Sequence, residues 1–147
     1  MKKAFLFDMD GVLADSETEW DKLGYDDMLK KYFGDEIFSK VKVKSGTSIK
    51  SIFDQFVAAG WTGEYQEFHV LNAQLANQIY GQIPITPGLN EIIDGLVGAK
   101  YIVGIVSSSP AEWVEMLISR LPSRAKITVV VSVNNHPSLL PKPSPDP

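Results

Sequence analysis

Residues Ala4–Phe7 form a short unbroken apolar run that passes directly into Asp8-Met9-Asp10-Gly11. An apolar run of this kind reads as a strand buried on both faces, the habit of parallel sheets. A buried parallel strand that ends in carboxylates sets them at its carboxyl end, where open α/β sheets hold their ligands. The rest of the chain must fold around that requirement. Two acidic side chains one residue apart can take different roles there, because like charges at close range push their titrations apart. Gly11 allows the tight backbone path that follows. Taken alone, Asp-x-Asp-Gly also serves as a turn whose carboxylates bond local amides. It also begins a calcium loop, but the later glutamate and the flanking helices of that motif are missing here.

The pattern beyond this point is helical for a long stretch. Ser16 followed by Glu19 reads as a capping box. The helix it starts carries Trp20, Leu23, Met28, Leu29, Tyr32 and Phe33 on one stripe. A second helix is expected near Ile49–Val57, capped by Thr47 or Ser48 and closed by Gly60. A third runs through Tyr65, Phe68, Leu71, Leu75 and Ile79. No strand signal falls between about residue 17 and residue 80.

Pro84-Ile85-Thr86-Pro87-Gly88 marks the return from this block. A helix with Leu89, Ile92, Ile93 and Leu96 follows, then a strand at Tyr101–Val106. Ser107-Ser108-Ser109-Pro110 interrupts, Val114, Leu117, Ile118 and Leu121 mark another helix, and Ile127–Val133 reads as a third buried strand. Residues 134–147 form a polar loop with five prolines. Strand and helix in alternation give an α/β fold: a Rossmann-like parallel core with a small all-helical cap inserted after the first strand. The expected division is residues 1–16 and 85–147 for the core, and 17–84 for the cap.

Composition narrows the function. The chain has 147 residues, 44% of them hydrophobic and 22% charged, enough apolar material for a core. A net charge of −4 argues against nucleic-acid or anionic-membrane partners, and zero cysteines exclude thiolate chemistry. With no membrane span or leader pattern in view, a cytoplasmic monomer is expected.

Two more elements could carry chemistry. The hydroxyls of Ser107, Ser108 and Ser109 at a strand end before a helix suit a phosphate oxygen, although serines in such places mostly cap helices. Lys142, between Pro141 and Pro143, could neutralise a phosphate and an adjacent aspartate, although a solvated lysine in a proline-rich tail is the blander alternative. His69 and His136 read as exposed or capping histidines, Trp61 and Trp113 as packing residues. Asp26-Asp27 and Asp35-Glu36 read as solvated faces and caps.

In this order, the three elements resemble the first three motifs of the haloacid-dehalogenase superfamily. Asp8-Met9-Asp10-Gly11-Val12-Leu13-Ala14-Asp15-Ser16-Glu17 resembles the opening of the branch that contains β-phosphoglucomutase and phosphoglycolate phosphatase. Ser107 matches the second motif, and Lys142 in Lys-Pro-Ser-Pro-Asp matches the third. The resemblance implies a Mg²⁺-dependent phosphohydrolase acting on a small phosphorylated metabolite, such as a sugar phosphate. Asp8 would be the nucleophile that forms an aspartyl-phosphate and Asp10 the general acid–base. The same two residues would hold Mg²⁺, Asp10 through its main-chain carbonyl. Met9, Asp10, Ser107, Ser108 and Lys142 would bind the phosphate. Ser16, Lys44, Gly46, Thr47 and Lys50 would meet the substrate from the cap side, Lys44–Lys50 resembling the branch's specificity loop.

Departures from the family pattern bear on two alternatives. For a phosphomutase, Ile49 stands where the mutase has its substrate-phosphate arginine, and Trp20 where it has a hinge histidine. The fourth motif, an acidic pair after a further strand, has no counterpart before Pro147. That leaves a non-catalytic phosphate- or partner-binding fragment as the other reading.

Overall fold

The structure is a computed structural model describing residues 3–44, 47–136, 138–140, 142, 144 and 145. Among these, β1 (Lys3–Phe7), β2 (Tyr101–Ser107) and β3 (Ile127–Ser132) form one parallel sheet in the order β1-β2-β3. Phe7 lies opposite Ile105, and Ser107 opposite Ser132. The register therefore lines up Asp8, Ser107 and the residues after Ser132 along one carboxyl edge. That edge is where crossovers leave the sheet and where a parallel α/β protein has room for a ligand.

Between β1 and β2 run α1 (Ser16–Lys22), α2 (Tyr25–Phe33), the short α3 (Asp35–Phe38), α4 (Ile49–Ala58), α5 (Tyr65–Tyr80) and α6 (Leu89–Gly98). The crossover between β2 and β3 carries α7 (Ala111–Ile118). The expected fold class is the observed one: a parallel α/β sheet with an all-helical insert behind its first strand.

The differences from expectation have local causes. The long helix expected from Ser16 is broken into α1 and α2 at Gly24, whose φ of 69° lies in the left-handed region. Asp15, not Ser16, caps α1: its side chain accepts from the Thr18 amide at 3.3 Å. Ser16 is instead buried, with its hydroxyl donated to Asp10. Strand β1 is not buried on both faces, since Phe5 and Leu6 are 42% and 53% exposed. It pairs with β2 on one side and is an edge strand among the described residues. Val133 falls in a short 3₁₀ turn after β3. The other helices and strands begin and end within a residue or two of their sequence signals.

Two regions of packing hold the fold. Under the sheet, Ile93, Val103, Ile105, Val114, Leu117 and Ile118 are at most 1% exposed. In the insert, aromatic rings do most of the filling: Phe33 stacks on Phe56 with centroids 3.8 Å apart and planes 5° from parallel. Phe53, Phe68 and Trp61 close around that pair.

Two sets of polar bonds tie insert to sheet. Thr86 donates its amide to Leu13 O at 2.9 Å and its hydroxyl to Val12 O at 2.8 Å, so the returning chain is stitched to the departing one. Arg120, just past α7, donates to the carbonyls of Tyr80 and Ile83 at 2.9 and 2.6 Å. The first is a carbonyl at the end of α5, which helix geometry leaves without a partner, and the second lies in the chain just beyond it.

Removing the Phe56 ring, which is wholly buried, leaves a cavity that the stacked neighbours cannot fill. Phe56→Ala is expected to lower the unfolding free energy by about 3–5 kcal/mol, read from urea denaturation monitored by tryptophan fluorescence. A loss below about 1 kcal/mol would contradict this packing.

Candidate active site

Strand β1 delivers its last apolar side chain, Phe7, into the core, and Asp8 follows with half its side chain exposed. The backbone then turns sharply. Gly11 sits at φ 74°, and its amide donates to Ala14 O at 2.9 Å. Within this turn Met9 is fully buried. Its amide donates to Asp8 Oδ1 at 2.7 Å, so the N–H expected to meet phosphate is turned onto the neighbouring carboxylate.

The other carboxylate oxygen of Asp8 lies 2.8 Å from Lys142 Nζ. That ammonium also donates to Val106 O, at 3.1 Å, on the adjacent strand. The residues at the two extremes of the sequence pattern thus meet at the sheet's carboxyl edge.

Asp10 is held by three hydroxyls from three parts of the chain. Ser16 and Tyr80 donate to Oδ1, Tyr80 at 2.7 Å, and Ser109 donates to Oδ2, also at 2.7 Å. Burial first, and then the Asp10 carboxylate beside it, push the Tyr80 hydroxyl well above the usual tyrosine range. It therefore stays a donor at any ordinary pH. Trp20 Nε1 approaches the Tyr80 oxygen at 3.4 Å from the other side.

The serine run divides its work. Ser107 ends β2 fully buried, and its hydroxyl accepts from the Ser109 amide at 3.0 Å. Ser132 donates to the Ser109 carbonyl at 2.7 Å, and Asn135 accepts from the Ala111 amide at 2.8 Å at the start of α7. The loop is pinned from below, leaving Ser108 and Ser109 to face outward.

These groups surround a cavity of about 520 Å³ between the sheet edge and the insert. Asp8, Asp10, Ser16, Ser108, Ser109 and Lys142 line its floor, with Lys44 and Thr47 across from them. Met9 and Ser107 lie behind the wall and do not line it. Lys50 is outside: Ile49 faces inward at the start of α4, so the next residue, a quarter-turn round the helix, faces out and pairs with Asp54. Lys50 and His69 belong to a separate hollow with Tyr65. Gly46 lies outside the described residues.

Several lining residues carry no mark in the sequence. Tyr80 is the last residue of α5 and continues that helix's apolar stripe. Trp113, expected to be plain packing, also lines the cavity, as does Asp26, expected on a solvated face. Trp20, Tyr80 and Trp113 form one aromatic group, with Trp113 centred 5.6 Å from each of the other two. Tyr25 and the buried Asn72 complete the insert's side of the wall.

For a metal, the half-exposed Asp8 carboxylate in the cavity is a hard oxygen ligand of the kind magnesium takes. Among the described residues there is no group of three or more histidine or acidic side chains that could hold a metal ion. Magnesium keeps several waters and commonly binds through one or two carboxylates plus substrate phosphate, so the donor set fits that ion and suits a caged structural metal poorly. No helix among the described residues is long and apolar enough to cross a membrane.

A parallel α/β sheet with carboxylates at its edge and a helical insert facing them defines a class of ligand-handling α/β proteins. The chain belongs to the haloacid dehalogenase-like hydrolases, whose family model matches residues 5–147. Hexitol phosphatase B of Escherichia coli is 27% identical over 145 residues, which is 95% of this chain and 64% of that relative. The chain thus spans a little under two thirds of the curated relatives it matches. A predicted phosphoglycolate phosphatase of Haemophilus somnus has the same fold, with a TM-score of 0.68 and 15% identity over 98% of this chain and 66% of its own. CbbY of Rhodobacter sphaeroides, solved in complex with phosphate, is similar at TM-score 0.57 and 20% identity over 90% of this chain and 64% of its own.

Tyr80→Phe keeps the ring and deletes one of the three bonds to Asp10. The expected cost is about 1 kcal/mol of stability, measured by urea denaturation. No loss would mean that the Tyr80–Asp10 bond is not made in solution.

Proposed function

We propose that this protein is a Mg²⁺-dependent phosphohydrolase that cleaves small phosphorylated metabolites through an aspartyl-phosphate. One observation carries the reading: the Asp8 carboxylate and the Lys142 ammonium, 2.8 Å apart, share a cavity with Asp10. Family membership and the likeness to hexitol phosphatase B agree with it and point to a sugar or polyol phosphate.

Asp8 attacks phosphorus, forming a new P–O bond as the ester P–O bond breaks. Asp10 gives its proton to the departing oxygen, so the leaving group departs as a neutral alcohol. Asp10 then takes a proton from the water that attacks the aspartyl-phosphate, releasing inorganic phosphate and restoring Asp8. Dividing one hard displacement into two easier ones is the gain from a covalent intermediate. Lys142 and the hydroxyl of Ser108 hold the phosphoryl oxygens, where charge is spread. Ser16 and Tyr80 donate to Oδ1 and Ser109 alone to Oδ2, so Oδ2 keeps a position for the proton that Asp10 gives and takes. Magnesium, held by the Asp8 carboxylate and the Asp10 carbonyl, would supply neutralising positive charge. The helical insert, taken as a cap over residues 17–84, would keep bulk water from the intermediate.

A phosphomutase needs cations opposite the nucleophile to retain a second phosphate. Among the described lining residues, the insert contributes one, Lys44, together with Glu17, Asp21 and Asp26. That balance favours hydrolysis.

Turnover of p-nitrophenyl phosphate with Mg²⁺ tests the proposal. Asp8→Asn is expected to bring it to background with an unchanged melting temperature, and Asp10→Asn to lower kcat by about 10²–10⁴. Chelation with EDTA should stop the reaction and added Mg²⁺ restore it. Full activity in Asp8→Asn would refute the mechanism, and activity indifferent to EDTA would remove the metal.

A further inference from the structure

The chemistry proposed above uses Asp8, Asp10, Ser108, Ser109 and Lys142, all on the sheet side. It leaves unexplained a polar pair in the opposite wall. Asn72 lies in the middle of α5 with no exposure at all, among residues that are otherwise apolar on that face. A buried amide in a helix interior needs a reason, since its groups must all be satisfied there.

The hydrogen bonds around Asn72 determine its orientation. Its Nδ2 donates to the carbonyl of Phe68 at 2.8 Å, one turn back along α5. With the amide turned over, two acceptor oxygens would face each other, so Oδ1 must point the other way. There it accepts from the Tyr25 hydroxyl at 2.8 Å. The one hydrogen of the Tyr25 hydroxyl is thereby committed to Asn72. What the Tyr25 oxygen has left is lone pairs, and both residues line the cavity.

The ring of Tyr25 packs edge-on against Trp20, with centroids 5.1 Å apart, and Trp20 in turn reaches Tyr80, which bonds Asp10. A leaving group whose oxygen sits at Asp10 would therefore extend across the Trp20 indole towards Tyr25. Asp21, Asp26 and Lys44 line the same cavity.

We infer that Tyr25 is a specificity-determining contact, accepting a hydrogen bond from a hydroxyl of the leaving group, and that Asn72 positions it by holding its proton. This rests on the phosphohydrolase reading and deepens it. An acceptor-only oxygen at that point welcomes an alcohol and repels a carboxylate, which has no hydrogen to give. The substrate class is then the phosphate esters of neutral polyhydroxy compounds, in preference to phosphorylated hydroxy acids.

The test compares sorbitol 6-phosphate, phosphoglycolate and p-nitrophenyl phosphate as substrates of the whole chain. The parent should prefer sorbitol 6-phosphate to phosphoglycolate in kcat/KM. Tyr25→Phe should lower the ratio of kcat/KM for sorbitol 6-phosphate to that for p-nitrophenyl phosphate by about 10-fold, the effect of one neutral hydrogen bond. Most of the change should fall in KM. Asn72→Leu frees the Tyr25 hydroxyl to donate, and should shift selectivity towards phosphoglycolate. A merely structural Asn72 would lower all three substrates alike.

An unchanged ratio in Tyr25→Phe, or a parent that prefers phosphoglycolate, overturns the inference. If either occurs while Asp8-dependent turnover of p-nitrophenyl phosphate persists, the phosphohydrolase reading survives. Calorimetric binding of sorbitol 6-phosphate in EDTA to the parent and to Tyr25→Phe decides the point without turnover: about 10-fold weaker binding supports the contact, and equal binding removes it.

Discussion

Three hydroxyls converge on the Asp10 carboxylate, and much of the architecture is needed to bring them there. Ser16 stands where the chain leaves the sheet for the insert, Tyr80 ends the last insert helix, and Ser109 belongs to the loop after β2. A carboxylate so surrounded is oriented from three directions. Those three contacts also join the helical insert to the sheet at the point where the proposed chemistry takes place. A shift of the insert relative to the sheet would be felt first at Asp10.

The remainder of the packing supports that junction. Arg120 holds the carbonyl of Tyr80 at the end of α5 and that of Ile83 just beyond it, so the phenol is placed by its backbone as well as by its ring. Trp20 and Trp113 close on the same ring from the insert and from α7. Thr86 binds the returning chain to the loop that contains Asp10. Asp8 has a different kind of support. One of its oxygens takes the Met9 amide and the other faces Lys142, which is anchored in turn to the carbonyl of Val106. The proposed nucleophile is thus set by backbone and charge, and the proposed acid–base by hydroxyls.

Much of this was legible in the residues. The apolar run into Asp8, the alternation of strand and helix after Pro87, and the cluster of helical stripes between them specify a parallel sheet with an insert. Burial demands those periods of any sequence that forms these elements. The order of the three motifs brought out the family. Less legible was anything that depends on which neighbour arrives. Ser16 has every local feature of a capping residue, yet Asp15 caps the helix and Ser16 turns inward, because the Asp10 carboxylate, folded back by the turn at Gly11, stands there to accept its hydrogen. The break at Gly24 was hidden by a stripe that runs across it. Lys50 fits a substrate loop by position, but its side of α4 faces away from the cavity.

By itself, the sequence determined the fold class, the place of the insert, and the arrival of Asp8 and Asp10 at a strand end. These follow from periodicity and chain order, which are local properties. Only the tertiary structure decided that Tyr80 would meet Asp10, that Lys142 would meet Asp8, and that Tyr25 would donate its hydrogen bond to Asn72. Residues 70, 134 and 47 positions apart share no local pattern, and their pairing comes from the packing of separate elements, through which side-chain hydrogen bonds find the partners that burial requires.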